Sequence, residues 1–112
     1  MADTLRGDGK AVDVELTTYK AKGSVVLIDG FFGITMAAGS SGDTVAIEIA
    51  QREHEIAIPT NLSAARGAIL YLSSLGVITT TASDKPFMKV TLEKDANDYV
   101  WGILLPQYAD TV

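Results

Sequence analysis

Residues 22–58 read KGSVVLIDGFFGITMAAGSSGDTVAIEIAQREHEIAI, and this stretch decides the fold class. Short apolar runs are separated by turn signals. Gly30 and Gly33 bracket Phe31 and Phe32, and Gly39-Ser40-Ser41-Gly42-Asp43 closes the next turn. Val45, Ile47 and Ile49 then alternate with Ala46, Glu48 and Ala50. A period of two places the branched side chains on one face of a strand and the others on the opposite face. The stretch reads as an antiparallel meander, the seed of a small β domain.

The pattern extends in both directions. Upstream, residues 11–18 (AVDVELTT) place Val12, Val14 and Leu16 on one face, and Asp13, Glu15 and Thr17 on the other. An acidic outer face suits a half-buried strand near a sheet edge. Residues 24–29 (SVVLID) are a continuous apolar run and read as a more buried strand. Asp29-Gly30 is a tight-turn signal. Residues 53–58 carry His54, Ile56 and Ile58 in phase, until Pro59 stops the strand.

Downstream, the spacing predicts one helical turn over 61–66, because Asn61 or Ser63 caps and Ala64, Ala65 and Arg66 favour a helix that Gly67 cuts short. Strands follow at 68–72 (AILYL) and 77–81 (VITTT), since consecutive threonines favour a strand. Residues 87–94 place Met88, Val90 and Leu92 on one face. Residues 95–98 form an Asx-rich turn, and residues 99–105 (YVWGILL) are a last strand that is apolar on both faces. The expectation is an all-β fold: a small antiparallel β-barrel or sandwich of about eight or nine short strands, with at most one or two helical turns. Residues 1–10, which hold two glycines and four charges, read as a polar N-terminal arm, and residues 11–112 as a single β domain.

Composition narrows the function. The chain has 112 residues, 47% hydrophobic and 21% charged, which suits one core of globular type. A net charge of -5 argues against nucleic acid as a direct ligand, because phosphate binding needs a basic footprint. The absence of cysteine removes disulfides, thiol chemistry and zinc–thiolate sites. No secretory leader is visible in the polar first residues, and no apolar run is long enough to span a bilayer, so no membrane partner is expected.

Chemistry-bearing residues are sparse. His54 is the sole histidine, which rules out a two-histidine metal site. Its neighbours Glu53 and Glu55 point to the opposite strand face, so His54 reads as a structural or interface residue. No serine lies in a G-x-S-x-G elbow, and Gly39–Gly42 lacks the lysine and helix of a phosphate loop. Asp95, Asn97 and Asp98 lack calcium-loop spacing and read as a hairpin turn. The expectation is no catalytic residue, no cofactor and no metal. What remains is aromatic surface. Phe31 and Phe32 are adjacent on one strand and must face opposite ways, and Tyr99 and Trp101 share a face of the last strand. Phe31, Phe32, Tyr99 and Trp101 are therefore the candidate oligomer-interface residues.

Several stretches resemble a known family. GSVVLIDGFFGIT (23–35), GDTVAIEI (42–49), EIAIP (55–59), RGAILYL (66–72), GVITTT (76–81) and VWGILL (100–105) are similar to the capsid cement, or head decoration, proteins of tailed phages. The likeness covers residues 23–105 and rests on turn glycines and apolar strands. It departs at Ala68, where an acidic residue often follows the glycine, and residues before Gly23 do not align. The resemblance implies a structural protein made in the host cytoplasm. It would reside on the outer surface of the phage head, binding the major capsid protein of the expanded shell as a homotrimer. Leu5, Arg6 and Lys10 are then the expected capsid contacts of the arm, whose backbone would add to a capsid strand. The other classes weighed are a free-standing β-barrel adaptor that recognises a peptide or glycan, and a small hydrolase, which lacks a nucleophile–base pair.

Overall fold

The computed structural model describes residues 9–107. Those residues contain nine β-strands and no helix, so the all-β expectation holds. In chain order the strands are β1 (Ala11–Glu15), β2 (Val25–Ile28), β3 (Phe31–Thr35), β4 (Thr44–Glu48), β5 (Glu53–Ala57), β6 (Ile69–Leu72), β7 (Ile78–Thr79), β8 (Lys85–Leu92) and β9 (Tyr99–Leu104). They form two curled antiparallel sheets, with strand orders β1-β4-β3-β2 and β5-β9-β8-β6-β7. The acidic strand β1 does lie at a sheet edge.

In the first sheet, Asp29 (φ 54°) and Gly30 (φ 82°) form the two-residue turn between β2 and β3. Both residues occupy the left-handed region that a type I′ hairpin requires. The turn fixes the register at Ile28 opposite Phe31, and so places Leu27 opposite Phe32 and Val25 opposite Ile34. The next ladder is short, with only Ile34 opposite Glu48 and Thr35 opposite Ile47. Gly33 is needed there, because a Cβ would sit 2.5 Å from the Glu48 carbonyl oxygen. Where β4 diverges, the side chain of Gln107 takes the place of a strand. Its Oε1 accepts from the Phe32 N–H (3.1 Å) and its Nε2 donates to the Phe32 carbonyl (2.7 Å).

Alternation sends the two faces of this sheet into different cores. Phe32 and Ile34 join Ile56, Leu70, Phe87, Met88, Val100 and Leu104 of the second sheet in the main core. The rings of Phe32 and Phe87 meet edge-on, with centroids 6.5 Å apart. Such pairs add about 0.5–1.5 kcal/mol beyond area burial. Val14, Leu16, Val26, Val45 and Ile47 form a second cluster on the opposite face. Thr35 is the one buried polar residue among those described. Its hydroxyl accepts from Ser24 N–H and donates to the Ala21 carbonyl, so the turn before β2 is satisfied.

The second sheet departs from strict alternation at two bulges in β8. Leu70 pairs with Met88 but Tyr71 with Pro86, so Phe87 is an extra residue. This lets Phe87 and Met88, adjacent in sequence, both be buried. Val90 pairs with Gly102 but Leu92 with Trp101, so Thr91 is a second extra residue. Leu92 is thereby turned out of the core, which corrects the expectation that it shares a face with Met88 and Val90.

The helical turn expected over 61–66 is also absent. Residues 59–68 make two reverse turns, closed by Leu62 N–H to Pro59 carbonyl and Ala68 N–H to Ala65 carbonyl. Tertiary bonds override the helical propensity: Lys94 Nζ donates to the Thr60 and Leu62 carbonyls, and Ala64 accepts from the Lys94 N–H.

Candidate functional site: the open face of the second sheet

Strand β9 alternates with high fidelity. Val100, Gly102 and Leu104 face inward and are buried, whereas Tyr99, Trp101 and Ile103 face outward and keep about two-fifths of their surface exposed. Gly102 permits this geometry, because a Cβ there would collide with Met88 and approach the Lys89 carbonyl. The Thr91 bulge adds Leu92 to the outer face, in register with Trp101. Strand β5 borders the row on its other side, with Glu53 opposite Ile103, Glu55 opposite Trp101 and Ala57 opposite Tyr99. The Trp101 indole N–H donates to Glu55 Oε2 (2.9 Å), and the Thr91 hydroxyl donates to Glu53 Oε2. The result is an aromatic and aliphatic row flanked by carboxylates on an edge strand.

Of the residues expected at an interface, Tyr99 and Trp101 lie together on this face. Phe31 is exposed at 39%, but on the first sheet. Phe32, at 1%, is a core residue and leaves the interface set. The reason is the pleat itself: one member of a Phe-Phe pair faces the other sheet, and here it is Phe32. Leu5 and Arg6 lie outside the described residues. Lys10 is exposed, and its carbonyl accepts from the Ile49 N–H, so its backbone is tied to the first sheet. Sequence reasoning missed Leu92, hidden by the bulge, and Leu75, which stands almost wholly exposed at the β6–β7 hairpin tip. An apolar residue inside the turn SSLG was the available signal for Leu75.

The polar residues are engaged in structural contacts. His54 Nε2 lies 2.8 Å from Oε1 of Glu48, on the other sheet, and Arg52 approaches the same carboxylate at 3.5 Å. The His54 contact is poorly aligned for a hydrogen bond, and among the described residues Nε2 has no other partner; it is a close polar contact linking the sheets. At the β8–β9 hairpin, Asp95 Oδ1 accepts from the N–H groups of Asn97 and Tyr99. Asp98 Oδ2 accepts from the Thr60 hydroxyl (2.8 Å), and its Oδ1 lies 3.2 Å from Lys94 Nζ. The Thr60 hydrogen bond, then that of Lys94, hold the Asp98 carboxyl below its ordinary value against a smaller opposing effect of burial. No group of three or more His, Asp or Glu side chains is placed to hold a metal ion among the described residues. A groove of about 460 Å³ between the β2–β3 turn, the β6–β7 hairpin and residues 83–85 is lined by Asp29, Ser73, Ser74, Ser83, Asp84 and Lys85. Within it, the Asp84 carboxylate is occupied by the Thr79 hydroxyl (2.6 Å).

No protein-family model matches the chain, and no curated protein matches it.

Proposed function

We propose that this chain is a structural head decoration protein. It binds the major capsid protein on the outside of an expanded phage shell, as a homotrimer, and stabilises the shell. The observation that carries the reading is the open row Tyr99, Trp101, Ile103 and Leu92 on an otherwise well-packed domain. A contiguous apolar face of this kind gains stability when a partner covers it. Cyclic symmetry lets three copies bury the same face identically around a shell threefold. The resemblance carried by residues 23–105 points to the same role. The polar contacts made by His54, Asp95 and Asp98 support a structural role over a catalytic one.

The experiment is co-sedimentation with expanded and unexpanded shells, alongside light scattering of the free protein. Binding to expanded shells with three copies per site is expected. Failure to bind either shell overturns the reading. Deletion of residues 2–9 tests the arm while keeping the Lys10–Ile49 bond. Shell occupancy is expected to fall severely with melting temperature nearly unchanged, and wild-type occupancy would remove Leu5 and Arg6 from the contact. A second reading, a binding module for a glycan, is favoured by one observation: the serine- and aspartate-lined groove beside the β2–β3 turn. Saturable glycan binding lost in Ser83→Ala would favour it over the capsid reading.

A further inference from the structure

Strand β5 is an outer strand of the second sheet, and its only strand partner among the described residues is β9. Two bonds flank the ladder and set its phase: Leu104 N–H to the Arg52 carbonyl, and Ile58 N–H to the Asp98 carbonyl. With Glu55 opposite Trp101, the even-numbered residues of β5 point their backbone groups at β9. The N–H and carbonyl groups of Glu53, Glu55 and Ala57 therefore point away from it, along an edge that no described strand covers. The other outer strand, β7, does not close this edge. A cleft of about 350 Å³ lies between them, lined by Val25, Ile56, Ala57, Pro59, Gly76 and Ile78.

We infer that the β5 edge is a docking site for an extended protein segment whose residues alternate between basic and apolar. A segment pairing antiparallel to β5 exchanges hydrogen bonds with Glu53, Glu55 and Ala57. Its residues opposite Glu53 and Glu55 share their face, where two exposed carboxylates favour lysine or arginine. Its intervening residues turn inward beside Ile56 and enter the cleft, where Ile56, Val25, Pro59 and Ile78 favour valine or isoleucine. Within Glu53–Ala57 the edge has no proline or bulge; its two carboxylates lie on the outer face, and its one inward titratable side chain, His54, is held against Glu48. This contact goes beyond the capsid reading and does not require it.

The probe is a labelled synthetic peptide of alternating lysine and valine, about nine residues long, titrated into the full-length protein with amide hydrogen exchange read in parallel. Saturable binding that weakens with added salt is expected, with new protection at the amides of Glu53, Glu55 and Ala57. The double variant Glu53→Gln, Glu55→Gln keeps both side-chain hydrogen-bond acceptors and is expected to bind about tenfold more weakly. A peptide N-methylated at the residues that face the β5 edge is expected not to bind, a control that leaves the protein untouched. Equal binding of a glutamate–valine peptide, undiminished binding of the methylated one, protection confined to other strands, or no binding at all would each overturn the inference. Shell co-sedimentation is read separately, so failure of either experiment leaves the other standing.

Discussion

The first sheet buries apolar residues on both of its faces within the chain, whereas the second buries them on only one. In the first, Phe32 and Ile34 face the main core, while Val14, Leu16, Val26, Val45 and Ile47 fill a separate cluster on the other side. In the second, Val100 and Leu104 are buried but Tyr99, Trp101 and Ile103 remain open. Both regions carry the same signature, an apolar run with no polar face: VVLI in β2 and YVWGIL in β9. Such a run states that both faces want cover. It does not say whether the same chain supplies it. Curling supplies the cover in the first sheet, whereas in the second the outer face of β9 stays open.

The adjacent pair Phe31 and Phe32 tests that difference most severely. Phe32→Ala removes a fully buried ring and its contact with Phe87, and a loss of about 3–5 kcal/mol is expected. Phe31→Ala, two-fifths exposed, is expected to cost under about 1 kcal/mol. Urea unfolding measures both, and equal losses would show that the two faces of β3 are not distinct.

Next in size is Gly33→Ala. The added Cβ meets the Glu48 carbonyl at 2.5 Å, so β3 and β4 must separate where their ladder is only two residue pairs long. A loss of about 1–3 kcal/mol is expected, as for overpacking. Hydrogen exchange should show it concentrated in the first sheet, and uniform loss of protection over both sheets would show that they do not open separately.

On the open face, Trp101→Ala is expected to change monomer stability by about 1 kcal/mol or less while abolishing the proposed self-association, since only an exposed side chain and its bond to Glu55 are removed. Sedimentation at rising concentration checks it, and an unchanged oligomer would move the interface elsewhere.

How much of this was legible varies with the range of the contact responsible. Asp29-Gly30 is a local signal, and the turn it announces sets the β2–β3 register as read. The acidic alternation of β1 likewise announces its edge position. Leu92 was misplaced because a bulge at Thr91 shifts the phase by one residue, and nothing in FMKVTLEK marks the insertion. The turn region at 61–66 was misread because Lys94, some thirty residues downstream, supplies the bonds that hold it. The Glu48–His54 contact crosses between sheets, and Gln107 bonds across 75 positions to Phe32. Alternation describes one strand at a time and is silent on such pairings. The same silence covers the open face: period two placed Tyr99 and Trp101 on one face without saying which face is outward, and their acidic border on β5 comes from strand order.

The smallest effect expected belongs to the hairpin that carries β9, at Asp98. Its carboxylate is held by Thr60 and Lys94, which stabilise the charged form and lower its pKa relative to the unfolded chain. For a carboxyl lowered on folding, the unfolded chain binds the proton more readily. The stabilisation is therefore fully present above the ordinary aspartate value, about pH 4, and is lost as the pH falls through the lower folded value. Asp98→Asn removes the titration yet keeps an oxygen for the Thr60 hydroxyl. Asparagine also tolerates the left-handed backbone at this position (φ 66°), so the turn itself survives. The variant is expected to melt slightly below the wild type at neutral pH, and the gap should close as the pH is taken below about 4. Because the group is solvent-accessible, added salt should shrink the gap at neutral pH as well. Melting curves of both proteins across that acid range check the sign. A gap that widens on acidification would mean that Asp98 is destabilised by its charge in the folded state, and that the Thr60 and Lys94 contacts do not anchor the 59–62 turn to the hairpin.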